Sequence, residues 1–370
     1  MTIKLNSKEL YNRLKLAGRI VPQKTTLAAA ENFKFEVSEN EMTVTATDVV
    51  GGIKVKNIPI IEGDAGIASF MVNARLMLQA LANVPNQPID MEYENNNLRV
   101  TYAGGYFDVP ALNANVFPTF NLDNDCYEIE LNPKIIEDGI NQVLCSVADD
   151  ELRPTINGVY MEVQSDKITF VATNGFTLAM REFTEDLPAE MPDLGSIIPQ
   201  NACRFITEMV KLCASDEIVK MTIGSKNIMS DTSGYRLIYR LIDGRYLNYR
   251  GLLPKNENIV EVGVSELISA VNRVSVFADT DALIEVNISE TILKIIAKNI
   301  GLKTFSEESI SVESDFDLRI ALQCRRMTML LNTLESAECK LLFDNEKRPV
   351  LIKPSDNENI TLLLMPFILN

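Results

Sequence analysis

The stretch TFVATNGFTLAMRE, Thr169 to Glu182, reads as two β-strands joined at Asn174-Gly175. Asn-Gly supplies the positive φ that a tight hairpin demands, and β-branched and aromatic residues flank it. A similar word stands upstream, MTVTATDVVGGIKV from Met42, and a fainter one downstream, LKIIAKNIGLKTFS from Leu293. Extending the alignment lays FKFEVSENEMTVTATD from Phe33 over VYMEVQSDKITFVATN from Val159 and LIEVNISETILKIIAKN from Leu283. Ala46, Ala172 and Ala297 then fall 126 and 125 residues apart.

Two more words recur in the same order. LNSKEL at Leu5, LNPKII at Leu131 and VGVSEL at Val262 each open an amphipathic helix, with Asn132-Pro133 as cap and first residue and Ser7 and Ser265 as caps of the other two. VNARLMLQALANV near Met71, PQNACRFITEMVKLC near Pro199 and LQCRRMTMLLNTLE near Leu322 have helical periodicity. Strands follow each, ending in YFDVPAL, YRLIYRLID and NITLLLMPFIL. Each third therefore reads helix, strands, helix, strands, an α+β chain of three repeated units. The period is too long for a solenoid, so each copy is a domain with its own core. Turn-rich NLDND (121–125) and YRGLLPKNEN (249–258) set the expected domains at 1–122, 126–250 and 254–370. Chance likeness among three α+β domains is the alternative, and three words in one order at one spacing speak against it.

Composition limits the chemistry. With 370 residues, 46% hydrophobic and 23% charged, the chain is folded globular material of two or three domains. No apolar run approaches the roughly 20 residues of a membrane span. MTIKLNSKEL enters structure at once, without the pattern of a secretory leader. Cys126, Cys145, Cys203, Cys213, Cys324 and Cys339 show no C-x-x-C spacing, which fits buried thiols in a reducing cytoplasm. Histidine and tryptophan are absent. The missing histidine removes the commonest general base and the usual nucleophilic triads. No phosphate-binding or nucleophile-elbow motif is present. The acidic run Ala148–Glu151 has the charge to hold Mg²⁺, but a solvated loop is the better reading. No cofactor, metal or catalysis is expected.

A net charge of −16 argues against nucleic acid if averaged over the surface. The pattern differs from the average. The six predicted helices, 5–21, 73–83, 131–148, 200–213, 262–278 and 323–337, sum to +5 and leave −21 for the rest. In the first, Lys8, Lys15 and Arg19 share one face while Leu10, Leu14, Ala17 and Val21 share the other. One basic face is ordinarily just solvated. Six collectively basic helices in an acidic protein point to a helix-lined surface facing a polyanion.

With these features the chain resembles the bacterial replicative sliding clamps, the β subunits of DNA polymerase III. The resemblance spans the whole chain and rests on the threefold repeat, on RPTINGVYMEV…TFVATNGFTLAM, on LIDGRYLNYRGLLPKN and on the terminal LLLMPFILN. It implies a head-to-tail homodimeric ring of six similar domains, helices inside around duplex DNA and sheets outside, without catalysis. It implies partners that insert a linear peptide: the replicative polymerase, the clamp loader and other replication and repair proteins. Carried over by motif, their pocket is Ile156, Thr173, Gly175, Phe176, Leu178, Leu247, Leu252, Leu363, Met365, Pro366, Phe367 and Leu369. The first half of NITLLLMPFIL also reads as a core strand, but Pro366 lacks the donor to continue a central one. Phe176 replaces a residue often polar in the family, Leu247 a common proline, and Ala28–Ala30 a frequent Pro-Ile-Leu. The resemblance assigns Lys24, Arg75 and Arg153 to DNA, and the basic face of the first helix adds Lys8, Lys15 and Arg19. It sets Phe107 and Val109 against Val276 and Phe277 at the dimer seam, where each also reads as plain core. A peptide-binding adaptor of the same fold and a carboxylate-based metal nuclease are the other classes consistent with composition.

Overall fold

The computed structural model describes the chain except residues 39–40, 65, 188–191 and 369–370. The amphipathic stretches form α1 (Ser7–Ile20), α2 (Ala74–Asn83), α3 (Pro133–Leu144), α4 (Gln200–Val210), α5 (Val264–Ser275) and α6 (Cys324–Leu331). Asn6 caps α1, accepting Lys8 N at 3.0 Å and Glu9 N at 2.9 Å. The expected cap, Ser7, is instead buried and donates its hydroxyl to Pro85 O at 2.6 Å. Asn132 caps α3 through Lys134 N at 2.8 Å, as its pairing with Pro133 predicts. Gly263 starts α5 without a side-chain cap, in place of Ser265, and α6 stops at Leu331, short of residue 337.

The strands show three copies of one plan, each contributing two antiparallel groups of four; in the first copy Glu62–Asp64 adds a fifth strand beside Thr2–Asn6, and Leu112–Asn113 adds an edge strand beside Ala68–Asn73. In the first copy, one sheet runs Thr2–Asn6, Pro88–Glu94, Asn97–Tyr102, Gly105–Pro110 and the other Ala68–Asn73, Asn32–Val37, Met42–Thr47, Gly51–Ile58. In the second, the orders are Cys126–Leu131, Val219–Gly224, Asn227–Asp231, Tyr235–Arg240 and Leu194–Pro199, Gly158–Gln164, Lys167–Thr173, Thr177–Thr184. The third has Asn258–Gly263, Glu338–Phe343, Val350–Pro354, Ile360–Leu364 and Leu318–Gln323, Leu283–Ser289, Ile292–Asn299, Thr304–Ser311.

Successive copies share sheets. Gly51–Ile58 pairs with Tyr235–Arg240, Ile53 opposite Leu237, and completes a nine-stranded sheet. Thr177–Thr184 pairs with Ile360–Leu364, Ala179 opposite Leu362, within an eight-stranded sheet. The corresponding strands without such a neighbour are Thr304–Ser311 and Gly105–Pro110, which end their sheets among the described residues. The chain accordingly divides into two compact units, residues 1–137 with 201–241 and residues 138–200 with 242–370. In the first unit Phe35, Phe70 and Tyr93 stack in series, with ring centres 5.3 and 4.2 Å apart. Hairpin strands such as Lys167–Thr173 are buried on both faces, which is why they read as nearly continuous apolar runs.

Gly158 shows how tightly the second unit is built. A Cβ there would stand 2.4 Å from the Ile198 carbonyl oxygen of the neighbouring strand, where only backbone could give way. Gly158→Val is therefore expected to destabilise the second unit by about 2–3 kcal/mol, read as a lowered denaturation midpoint. An unchanged midpoint would contradict the close approach.

Candidate functional site

The Asn174-Gly175 turn is held together by side chains. Thr173 Oγ1 donates to Thr177 O at 2.6 Å and accepts Gly175 N at 3.2 Å. Asn174 Oδ1 accepts Phe176 N at 3.0 Å and Thr177 N at 2.9 Å, and Gly175 takes φ +86°. The first copy makes the same four bonds. Thr47 Oγ1 donates to Gly51 O at 2.6 Å and accepts Val49 N at 2.9 Å, while Asp48 accepts Val50 N at 3.0 Å and Gly51 N at 2.8 Å. Val49 is held at φ +80°, a strained conformation for a β-branched residue. The third copy has a different turn, where Asn299 Oδ1 accepts Leu302 N at 2.9 Å.

The C-terminal tail crosses the second turn. The strand Ile360–Leu364 stops just before Met365-Pro366, as the missing proline donor requires. Met365 N then donates to Phe176 O at 2.9 Å and Phe367 N to Ala321 O at 2.8 Å. Arg326 of α6 lays its guanidinium 3.8 Å from the Phe176 ring centre and 5.8 Å from that of Phe367. Burial holds the Arg326 pKa below the usual arginine value, and its Nη1 has no hydrogen-bond partner among the described residues.

Below the tail lies an apolar floor of Ile156, Leu178 and Leu363 with Val171, Met180, Ile197, Tyr246, Tyr249 and Leu351, against which Leu247 and Met365 pack half-buried. Phe176 is 47% and Leu252 50% exposed. Thr173 is buried in its turn, and Pro366 and Phe367 are partly covered. Leu369 lies outside the described residues. Tyr246 stacks on Tyr160 at 4.6 Å, and Tyr249 donates to Glu162 Oε2 at 2.7 Å while Arg250 approaches the same oxygen at 2.6 Å. Burial works to raise the Glu162 pKa, but the bonds from Arg250 and Tyr249 outweigh it and hold the carboxyl below its usual range. Burial, and then the bond to Glu162, drives the Tyr249 phenol well above its ordinary value. Sequence reading missed Tyr160, Tyr246, Tyr249 and Arg326. The paired tyrosines of GRYLNYR were a usable signal; nothing local marks Arg326.

The residues expected at DNA are exposed but not uniformly free. In the first unit Lys8, Lys15, Arg19, Lys24 and Arg75 are exposed. Arg19 pairs with Glu208 of α4, Arg75 donates to the Pro22 carbonyl, and Lys8 lies 5.0 Å from the Tyr11 ring centre. Lys15 and Lys24 have no such partner among the described residues. In the second unit Arg153 is exposed and pairs with Asp150 at 2.9 Å, and that bond holds the Asp150 carboxyl below its usual range. Asp150 also accepts Leu152 N at 2.9 Å, so the acidic run 148–151 is a structured turn. No group of three metal-ligating side chains occurs among the described residues.

The expected seam residues differ in exposure. Val109 is buried in the five-stranded sheet and Phe107 is half-buried. Val276 is 77% and Phe277 40% exposed, beside the open strand Thr304–Ser311, where Thr304 Oγ1 donates to Phe277 O at 3.3 Å. Ile300, Leu302 and Phe305 are also exposed there. An apolar patch thus flanks an unpaired β edge.

Comparison with known proteins agrees with this architecture. The beta sliding clamp of Synechococcus elongatus is 24% identical over 99% of both chains, and that of Bacillus subtilis 24% over 94% of both. The DNA polymerase III beta subunit of Pseudomonas aeruginosa has the same fold, with a TM-score of 0.93, 22% identity and all of both chains covered. That of Thermotoga maritima gives 0.91 at 20% identity, also over all of both chains. The family models for the N-terminal, central and C-terminal domains of the DNA polymerase III beta subunit match residues 1–123, 130–248 and 250–368. With all three domains present in order along nearly its whole length, the chain belongs to the DNA polymerase III beta subunit family.

Proposed function

We propose that two copies of this chain close head to tail into a ring around duplex DNA, acting as a cytoplasmic sliding clamp that tethers the replicative polymerase and other proteins. One observation carries the ring. In two of three copies the last hairpin strand is sealed by the last strand of the next copy, and the two strands left open, Thr304–Ser311 and Gly105–Pro110, are the corresponding pair. A second chain supplies each edge with the partner it lacks. The register follows from the repeat. Ile53 and Ala179 sit opposite Leu237 and Leu362, their counterpart is Ser306, and the counterpart of Leu237 and Leu362 is Phe107. Ser306 of one chain therefore faces Phe107 of the other. Val276 and Phe277 cover the joint, and Val109 supports it from the core.

The groove beside Met365, Pro366 and Phe367 receives the linear peptides of the polymerase and clamp loader. Its half-exposed Phe176 and Leu252 offer apolar anchor surface above the buried floor. The basic helix faces line the hole. Because Arg19 and Arg153 are already paired with carboxylates, few charges are free to neutralise phosphates. Retention on DNA therefore depends on the closed ring more than on equilibrium affinity.

Three outcomes test this reading. In a Cys126→Ser background, Phe107→Cys combined with Ser306→Cys is expected to oxidise to a covalent dimer in non-reducing gels. Asp108→Cys with Ser306→Cys, on opposite faces, is expected to remain uncrosslinked; the reverse result would shift the register by one residue. A Gln-Ala-Ser-Leu-Phe peptide is expected to bind the intact protein and to lose about tenfold or more in affinity when residues 366–370 are deleted, since such anchors dominate binding energy. Equal affinity would move the groove elsewhere. Loaded by an ATP-driven loader onto nicked circular DNA, the protein is expected to survive a moderate-salt wash and to leave after a single restriction cut, followed by gel filtration. Equal loss from circle and line would favour the adaptor reading.

A further inference from the structure

The junction between the first two copies contains a second pocket. Carrying strand register from the second copy to the first sets Lys34 where Tyr160 stands, Glu36 for Glu162, Gly52 for Leu178 and Lys54 for Met180. Across the junction, Ile238 takes the place of Leu363 and Arg236 that of Thr361. These four first-copy and two second-copy positions line one cavity of about 280 Å³, walled by Phe117 to Asn121, the segment that follows the last strands of the first copy as Tyr246 and Tyr249 follow those of the second. The Phe120 ring lies over Gly52, where a Cβ would come within 3.0 Å of it. The groove beneath the C-terminal tail thus has a counterpart of the same construction and different chemistry.

The substitutions share a direction. A tyrosine, a methionine and a threonine have become Lys34, Lys54 and Arg236, while the glutamate is retained. The cavity lining carries three cations and one carboxylate in a chain of net charge −16. Glu36 is shared between Lys34 at 2.7 Å and Lys54 at 3.3 Å, and Arg236 pairs with Asp231. Phe117, Phe120 and Ile238 supply an apolar lining beside these charges.

We propose that this cavity is a docking site for an acidic linear peptide of a partner protein. A carboxylate meets Lys34, Lys54 and Arg236, and a neighbouring apolar side chain packs on Phe120 and Ile238. The proposal rests on the reading that the corresponding groove of the second copy receives a linear peptide. Charge complementarity selects the occupant: three cations share only two carboxylates, Glu36 and Asp231, so an added anion is drawn to them, and the apolar wall rewards a side chain that a phosphate lacks. Duplex DNA is the less suitable anion. Lys34 and Lys54 alternate along their strands with the buried Phe33, Phe35, Ile53 and Val55, and α1 packs on the same strand as Ile53 and Val55. The cavity therefore opens on the sheet face away from that basic helix.

The test uses the full chain and two fluorescein-labelled peptides, Gly-Asp-Leu-Glu-Phe-Asp-Gly and Gln-Ala-Ser-Leu-Phe, followed by anisotropy. The acidic peptide is expected to bind saturably, to weaken with added salt and to lose about tenfold or more in affinity in the Lys34→Gln, Lys54→Met double variant. Deleting residues 366–370 is expected to leave it unaffected, while the Gln-Ala-Ser-Leu-Phe peptide shows the opposite dependence. Thermal unfolding of the double variant checks that the fold survives, and Lys54→Glu alone provides an independent charge reversal with the same expected direction. No saturable binding of the acidic peptide, indifference to both Lys variants, or loss on tail deletion would overturn the proposal. Displacement by a duplex oligonucleotide that depends on Lys34 and Lys54 would overturn it in favour of a nucleic acid site. Failure of the Gln-Ala-Ser-Leu-Phe peptide alone would remove the tail-groove reading and leave the acidic arm to decide this one.

Discussion

An unpaired β edge presents a row of backbone N–H and C=O groups to any strand that can reach it, and this molecule is organised around satisfying such edges. Within the chain the solution is used twice, when Tyr235–Arg240 seals Gly51–Ile58 and Ile360–Leu364 seals Thr177–Thr184. Each seal joins strands far apart in sequence, which is why the compact units of the chain cut across the middle copy. The same requirement, unmet at Thr304–Ser311 and Gly105–Pro110, motivates the proposed ring.

Turn chemistry shows how a repeated unit keeps its frame while its surface changes. Thr47-Asp48 and Thr173-Asn174 make matching sets of four hydrogen bonds, although one turn holds Val49 at positive φ and the other Gly175. With the frame held, the sheet face is free to diverge. It is aromatic and aliphatic around Tyr160, Tyr246 and Leu363, and basic around Lys34, Lys54 and Arg236. The third copy, whose turn lacks this set, instead exposes Ile300 and Leu302 beside its open strand.

Charge is distributed with comparable economy. The acidic total of −16 disfavours nonspecific adhesion to nucleic acid, while Lys15 and Lys24 remain free of partners among the described residues. Several other cations are matched locally, as Arg19 is to Glu208, Arg273 to Glu308 and Arg319 to Glu285. Such exposed pairs contribute little to stability individually. Their effect is to limit the positive field, consistent with a protein that slides rather than grips.

The sequence by itself determined the threefold repeat, the helix-strands-helix-strands order and the break at Pro366, because periodicity, caps and a missing donor act over a few residues. The hairpin at Asn174-Gly175 was legible for the same reason, whereas Ile156, Leu178 and Leu363 were named only through the resemblance to the clamp family. Only the tertiary structure decided that Asn6 rather than Ser7 caps α1, since Ser7 is claimed by the distant Pro85 carbonyl. It alone set Arg326 over Phe176, buried Val109 and tied Arg19 to Glu208. Those facts depend on which strands pair and which helices pack between residues far apart in the chain, and no local pattern encodes the partner of an edge or of a charge.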